Sequence, residues 1–98
     1  MTIAVYQKGD LRRISATFKN SAGAATDPTA VSFKYTKPSG TTTTLVYGVD
    51  GALVKDSTGN YHVDLSLTER GRWFYRWIGT GTVEEVDEGE FEVFSGAF

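Results

Sequence analysis

The chain has 98 residues, 40% of them hydrophobic and 22% charged, enough for one domain with its own core and unlike the composition of a disordered segment. Cysteine is absent, which excludes disulfide frameworks, thiol catalysis and thiolate metal sites together, and fits synthesis in a reducing cytoplasm. Net charge is −2 but unevenly spread: Glu84, Glu85, Asp87, Glu88, Glu90 and Glu92 give −6 in one segment without a base, and six acids against ten bases leave +4 elsewhere.

The opening Met1-Thr2-Ile3-Ala4-Val5-Tyr6-Gln7-Lys8 has neither the cationic start nor the apolar run of a signal peptide. No stretch approaches the roughly 20 apolar residues of a membrane-spanning helix, so a soluble, unprocessed chain without a membrane partner is expected. Segments 2–7 and 94–98 are apolar for chain ends. They are expected to pair as edge strands of their own domain or to reach into an adjacent subunit.

No window carries the i, i+3, i+4, i+7 stripe of a helix; period-two alternation recurs instead, punctuated by turn chemistry. A first strand is predicted over 11–19, with Ile14, Ala16 and Phe18 on one face and Arg13, Ser15 and Thr17 on the other. After Asp27-Pro28-Thr29, Val31, Phe33 and Tyr35 alternate with Ser32, Lys34 and Thr36, and Lys37-Pro38-Ser39-Gly40 turns the chain. Residues 41–47 are β-branched and aromatic enough for a third strand, and 52–54 for a short fourth. Tyr61, Val63, Leu65 and Leu67 then alternate with His62, Asp64 and Ser66. A sixth strand over 72–78 sets Trp73, Tyr75 and Trp77 on one face, Gly79-Thr80-Gly81 ends it, and a last strand passes through Phe91 and Val93 after the acidic segment.

About seven short antiparallel strands with turns between them describe an all-β sandwich in one domain, its core spanning about 9–94. The expected inner layer is Ile14, Phe18, Val31, Phe33, Tyr61, Val63, Leu65, Trp73, Tyr75, Trp77, Phe91 and Val93. A small closed barrel is the alternative.

The stretch Asp56-Ser57-Thr58-Gly59-Asn60-Tyr61-His62-Val63 resembles the Gly-x-Tyr strand entry of many immunoglobulin-like domains. With Gly71-Arg72-Trp73-Phe74-Tyr75-Arg76-Trp77, Gly79-Thr80-Gly81 and Glu90-Phe91-Glu92-Val93, it is similar to the last three strands of bacterial and viral immunoglobulin-like domains. Over about 9–94 the pattern resembles small stand-alone immunoglobulin-like proteins of tailed bacteriophages and prophages. That resemblance implies an immunoglobulin-like β-sandwich and a non-enzymatic virion protein, made in the host cytoplasm. Its partners would be capsid or head-tail proteins, as a decoration, cement or junction component present in repeated copies. The antibody-type cysteine pair is missing, which leaves Trp73 or Trp77 to fill the middle of the core.

Chemistry finds little purchase. His62 is the sole histidine, and Asp64 and Ser66 share its strand face, but at about 3.3 Å per residue they spread along the chain with no oxyanion hole. A solvated strand face is the expected state of His62. The acidic segment lacks the spacing of a Ca²⁺ loop and reads as a solvated hairpin, or as an electrostatic patch for a basic partner or a neighbouring copy. Arg12, Arg13, Arg70, Arg72 and Arg76 beside Phe74 and Tyr75 do not make a nucleic-acid surface in a net acidic chain that hides its aromatics. No metal, cofactor or small-molecule ligand is expected.

Phe74 and Ile78 occupy the face opposite Trp73, Tyr75 and Trp77, and so point away from the core. The residues expected to make partner contacts are Tyr6, Arg12, Arg13, Phe74, Arg76, Glu84, Glu85, Glu88 and Phe98. A carbohydrate-binding or adhesion module, stacking an exposed Trp or Tyr on sugar rings, is the alternative function. A hydrolase or metal enzyme built around His62 or the acids is a more distant third.

Overall fold

A computed structural model describes residues 4–7, as backbone, and 9–94. Eight strands follow one another: β1 (Ala4–Gln7), β2 (Leu11–Thr17), β3 (Ala30–Thr36), β4 (Thr42–Val46), β5 (Leu53–Ser57), β6 (Asn60–Ser66), β7 (Gly71–Thr80) and β8 (Glu85–Phe94). They form a five-stranded sheet in the order β1-β8-β7-β3-β4 and a three-stranded sheet in the order β2-β6-β5. All pairings are antiparallel except that of β1 with β8, which is parallel. The sandwich expected from the alternation is therefore present, with no helix among the described residues.

Turn chemistry explains where the strands reverse. Pro38 starts the β3–β4 turn, Gly40 adopts φ 96°, and its N–H donates to the Lys37 carbonyl at 2.8 Å. At the β5–β6 turn Gly59 has φ 76°, and a Cβ there would run into the Phe18 carbonyl and the Thr26 amide. Only glycine meets both demands.

The core lies between the sheets. From the five-stranded sheet come Val31, Phe33, Trp73, Trp77, Phe91 and Val93; from the other come Ile14, Phe18, Leu53, Tyr61, Val63 and Leu65. Trp77 packs 4.7 Å from the Phe33 ring and edge-on to Phe18, while Trp73 stacks between Tyr35 and Phe91. The large aromatics thus serve as filler where other sandwiches of this size place a disulfide.

Several expectations need correction. The acidic segment is largely exposed on a hairpin, as expected, but it does not precede the last strand: β8 begins at Glu85, so most of its acids stand along a ten-residue strand paired with β7. Gly79 and Thr80 are not turn residues, since they pair with Val31 and Ala30, and the reversal falls at Gly81. β5 runs on to Ser57 rather than stopping at 54. Leu53, Leu67 and Val83 join the core, while Tyr75 is only half-buried at its rim. Of the chain ends, 4–7 form edge strand β1 of their own domain.

Candidate functional site

The two outward sheet faces differ in how completely they satisfy themselves. On the three-stranded sheet, Arg13 lies opposite Asp64 and His62 lies between Ser15 and Val54. Arg13 donates to Asp64 twice, at 2.9 and 3.2 Å. Both Asp56 oxygens lie 2.8 Å from His62 Nδ1, and Asp64 approaches Nε2 at 4.0 Å. The Arg13 guanidinium holds the Asp64 carboxyl below the usual carboxylate range, and Asp64 raises Arg13 in return. Thr17 donates to Asn60 at 2.7 Å beside them, so this face is closed by its own polar partners.

His62 is accordingly not on a solvated face. It is buried at 8% exposure, because Asp56 caps one ring nitrogen and its strand neighbours enclose the ring. Asp64 and Ser66 are exposed, and Ser66 lies about 13 Å along the strand from His62, too far to act with it. Among the described residues no group of three or more His, Asp or Glu is placed to hold a metal ion.

A second polar cluster ties loop to hairpin. Asp27 accepts hydrogen bonds from Lys55 Nζ at 2.6 Å, the Gly59 N–H at 2.8 Å and the Tyr61 hydroxyl at 3.0 Å. These bonds, that from Lys55 foremost, hold the Asp27 carboxyl below its ordinary range. Burial, and then the bond to Asp27, push the Tyr61 phenol up to about 12. The cluster explains the Gly-x-Tyr entry in physical terms: the glycine and the tyrosine share one carboxylate, and the ring covers a corner of the core.

The outer face of the five-stranded sheet is organised differently. Strand register lays its side chains out in rows across β4, β3, β7 and β8: Val46, Ser32, Ile78, Val86, then Thr44, Lys34, Arg76, Glu88, then Thr42, Thr36, Phe74, Glu90. The first row is largely apolar, the second charged, and the third carries one aromatic ring. Phe74 is 48% exposed and Val86 57%, and no layer of described residues lies over them.

Within this face Lys34, Thr36, Phe74, Arg76, Glu88 and Gly89 line a shallow, open concavity of about 340 Å³. Arg76 forms an ion pair with Glu88, and Arg72 approaches Glu90 at 4.0 Å. The cross-strand neighbour of Lys34 is the like-charged Arg76, an unfavourable pairing in isolation. Glu88 relieves Arg76, which leaves the Lys34 ammonium as the concavity's unbalanced charge.

The expected contact residues divide accordingly. Phe74, Arg76 and Glu88 come together on this face. Glu84 and Glu85 are exposed but stand at the far end of the sheet, by the β7–β8 turn. Arg13 is exposed on the opposite sheet and paired to Asp64. Arg12 is not an outward contact: it shares the inward face of β2 with Ile14, and its guanidinium lies over the Phe91 ring, 4.8 Å from the centroid. Tyr6 belongs by its backbone to β1, opposite Val93. Phe98 lies outside the described residues. Lys34 and Thr36 were missed as site residues, although the alternation that turned Phe74 outward turns them outward too.

No protein-family model and no curated protein matches this chain. Among solved structures it is similar to the Lin-41 filamin domain, in the crystal structure of that domain. The TM-score is 0.72, the match covers 98% of this chain and 88% of the other, and identity is 12%. Likeness at that identity concerns the fold alone. The chain is an all-β, immunoglobulin-like sandwich.

Proposed function

We propose that this chain is a non-catalytic structural protein that docks on other proteins through the outer face of its five-stranded sheet. Its setting in this reading is a tailed-phage virion, on the capsid or at the head-tail junction. One observation carries the docking reading: Phe74 stands half-exposed in a concavity rimmed by Lys34, Thr36, Arg76 and Glu88, on a sheet face that no layer of described residues covers. The opposite face offers no equivalent, since its charged side chains are paired with one another. An aromatic anchor among charged groups that can be matched across a contact is the usual anatomy of a protein interface. The virion setting rests on the sequence resemblance.

The carbohydrate alternative keeps one exposed ring, Tyr47 at 44%, but loses both tryptophans to packing. Trp73 and Trp77 are 1% and 0% exposed, so neither ring is available to stack on a sugar. The direct experiment incubates purified protein with expanded capsids and with connector particles, alongside mass spectrometry of virions. Binding that Phe74→Ala or Lys34→Glu weakens, without change in melting temperature, supports the reading. Absence from virions together with no binding to either particle removes the virion setting. Binding to a glycan array that is lost in Phe74→Ala would replace protein docking with adhesion.

A further inference from the structure

A sheet edge offers unpaired N–H and C=O groups to any strand that can reach them, and folded proteins protect such edges with charge, proline or bulges. The edges of the three-stranded sheet follow that rule. β5 carries Lys55 and Asp56 and has a register irregularity between Lys55 and Ser57, and β2 carries Arg12 and Arg13. β4, at one edge of the five-stranded sheet, carries Thr42, Thr43, Thr44, Leu45 and Val46, with no charge, proline or bulge.

Its hydrogen bonds show which groups remain open. The Tyr47 N–H donates to Val31 O and the Lys37 N–H donates to Thr41 O, both at 3.0 Å, so odd-numbered residues here turn their backbone groups toward β3. Even-numbered residues turn theirs outward. Val46 is closed off, because its N–H donates to Asp50 Oδ2 at 2.8 Å and its carbonyl accepts from the Asp50 N–H at 2.9 Å. The open edge is therefore Thr42 and Thr44, bounded by Asp50 at one end and the 37–40 turn at the other.

We infer that a second copy of this chain pairs with β4 across a two-fold axis between the Thr43 residues, extending the five-stranded sheet through both molecules. Thr42 of one copy then lies opposite Thr44 of the other, each rung exchanging both N–H···O bonds, and Thr43 meets Thr43 as the non-hydrogen-bonded pair. Every pair in the seam is threonine on threonine, a favourable cross-strand combination, and no like charges meet. The register leaves the Asp50 cap on Val46 intact and puts it opposite Gly40 of the second copy, where there is no side chain to displace it. The one ionisable group of that 37–40 turn is Lys37, of opposite sign to Asp50. The same axis keeps both outer faces on one side and brings the Phe74 row of one copy into line with the Lys34 row of the other. The seam itself does not depend on the docking role of that face.

The test is sedimentation equilibrium of the full chain from micromolar to millimolar concentration, with three variants. Wild type is expected to show a concentration-dependent monomer–dimer equilibrium. Thr42→Lys/Thr44→Lys sets like charges across the seam and is expected to weaken association by about tenfold or more, while Thr42→Glu/Thr44→Lys sets opposite charges there and is expected to restore it. Thr42 and Thr44 are exposed, so circular dichroism should show both variants folded. Thr43→Cys introduces the only cysteine, at a non-hydrogen-bonded pair whose Cα separation of about 4.5 Å suits a disulfide, and should oxidise to a covalent dimer. A wild type that stays monomeric throughout overturns the inference. So does a dimer indifferent to Thr42→Lys/Thr44→Lys, or one in which Thr43→Cys does not cross-link.

Discussion

Gly89 lies directly across the ladder from Tyr75, and the phenol fills the space that any side chain at position 89 would need. The Tyr75 ring can therefore lie over β8 at the rim of the core, beside Phe33 and Phe91. Gly89→Ala should drive that ring off its site at a cost of about 1–3 kcal/mol by overpacking. Because the hydroxyl and its carbon are the nearest atoms, Tyr75→Phe in the same chain should recover part of the loss. Urea denaturation of both single variants and the double variant gives the coupling, and strict additivity would contradict the packing argument.

The two tryptophans should answer differently to the same substitution. The Trp73 indole N–H donates to the Glu69 carbonyl at 3.0 Å, whereas Trp77 Nε1 is buried without a hydrogen-bond partner among the described residues. Trp73→Phe loses volume and a hydrogen bond, the latter worth about 0.5–1.5 kcal/mol. Trp77→Phe loses similar volume but also removes an unsatisfied buried donor, which offsets about 1–3 kcal/mol of the cavity cost. Thermal melts should rank Trp73→Phe as the more damaging change.

Stability should fall at both ends of the pH scale, for different groups. Asp27 and Asp64 have lowered folded pKa values, so their contributions are present above the unfolded carboxylate value of about 4 and are lost as pH falls through the folded values. Tyr61 is raised to about 12, so its contribution is complete below the unfolded value of about 10 and disappears as pH rises toward 12. Asp27→Asn should flatten the acid limb of a plot of urea midpoint against pH. Tyr61→Phe should flatten the alkaline limb and remove the last phenol to ionise in an ultraviolet titration.

Adjacent arginines on β2 should also separate. Arg12→Ala strips a guanidinium and its stem from the Phe91 ring and is expected to cost about 1–2 kcal/mol. Arg13→Ala breaks an ion pair whose arginine side chain is 60% exposed, and its melting temperature should barely move. A scan of both by differential scanning calorimetry decides the matter.

How much of this was legible in the sequence follows from what period-two patterning can carry. Ile14, Val63, Trp73, Trp77 and Phe91 were placed inward because alternation of apolar with polar residues fixes a face, and it also turned Phe74 outward. Charge misled at Arg12: alternation puts residue 12 on the face of Ile14, and the side chain occupies that inward position by laying its stem and guanidinium on an aromatic ring. Polarity misled again at His62, whose side chain suggested solvent although Asp56 supplies the partner that burial requires. The start of β8 was hidden because consecutive acids lower strand propensity, and the compensating Arg76 comes from the neighbouring strand. Parallel pairing of Ala4–Gln7 with β8 joins residues almost ninety positions apart, and nothing local in either segment encodes it.

That parallel pairing has a mechanical consequence. Ala4 sits beside Phe91 and Gln7 beside Phe94, so the chain enters β1 at one end of the ladder and leaves β8 at the other. Tension pulling the two ends apart runs along these strands and stretches their rungs together in shear, instead of peeling them open one after another.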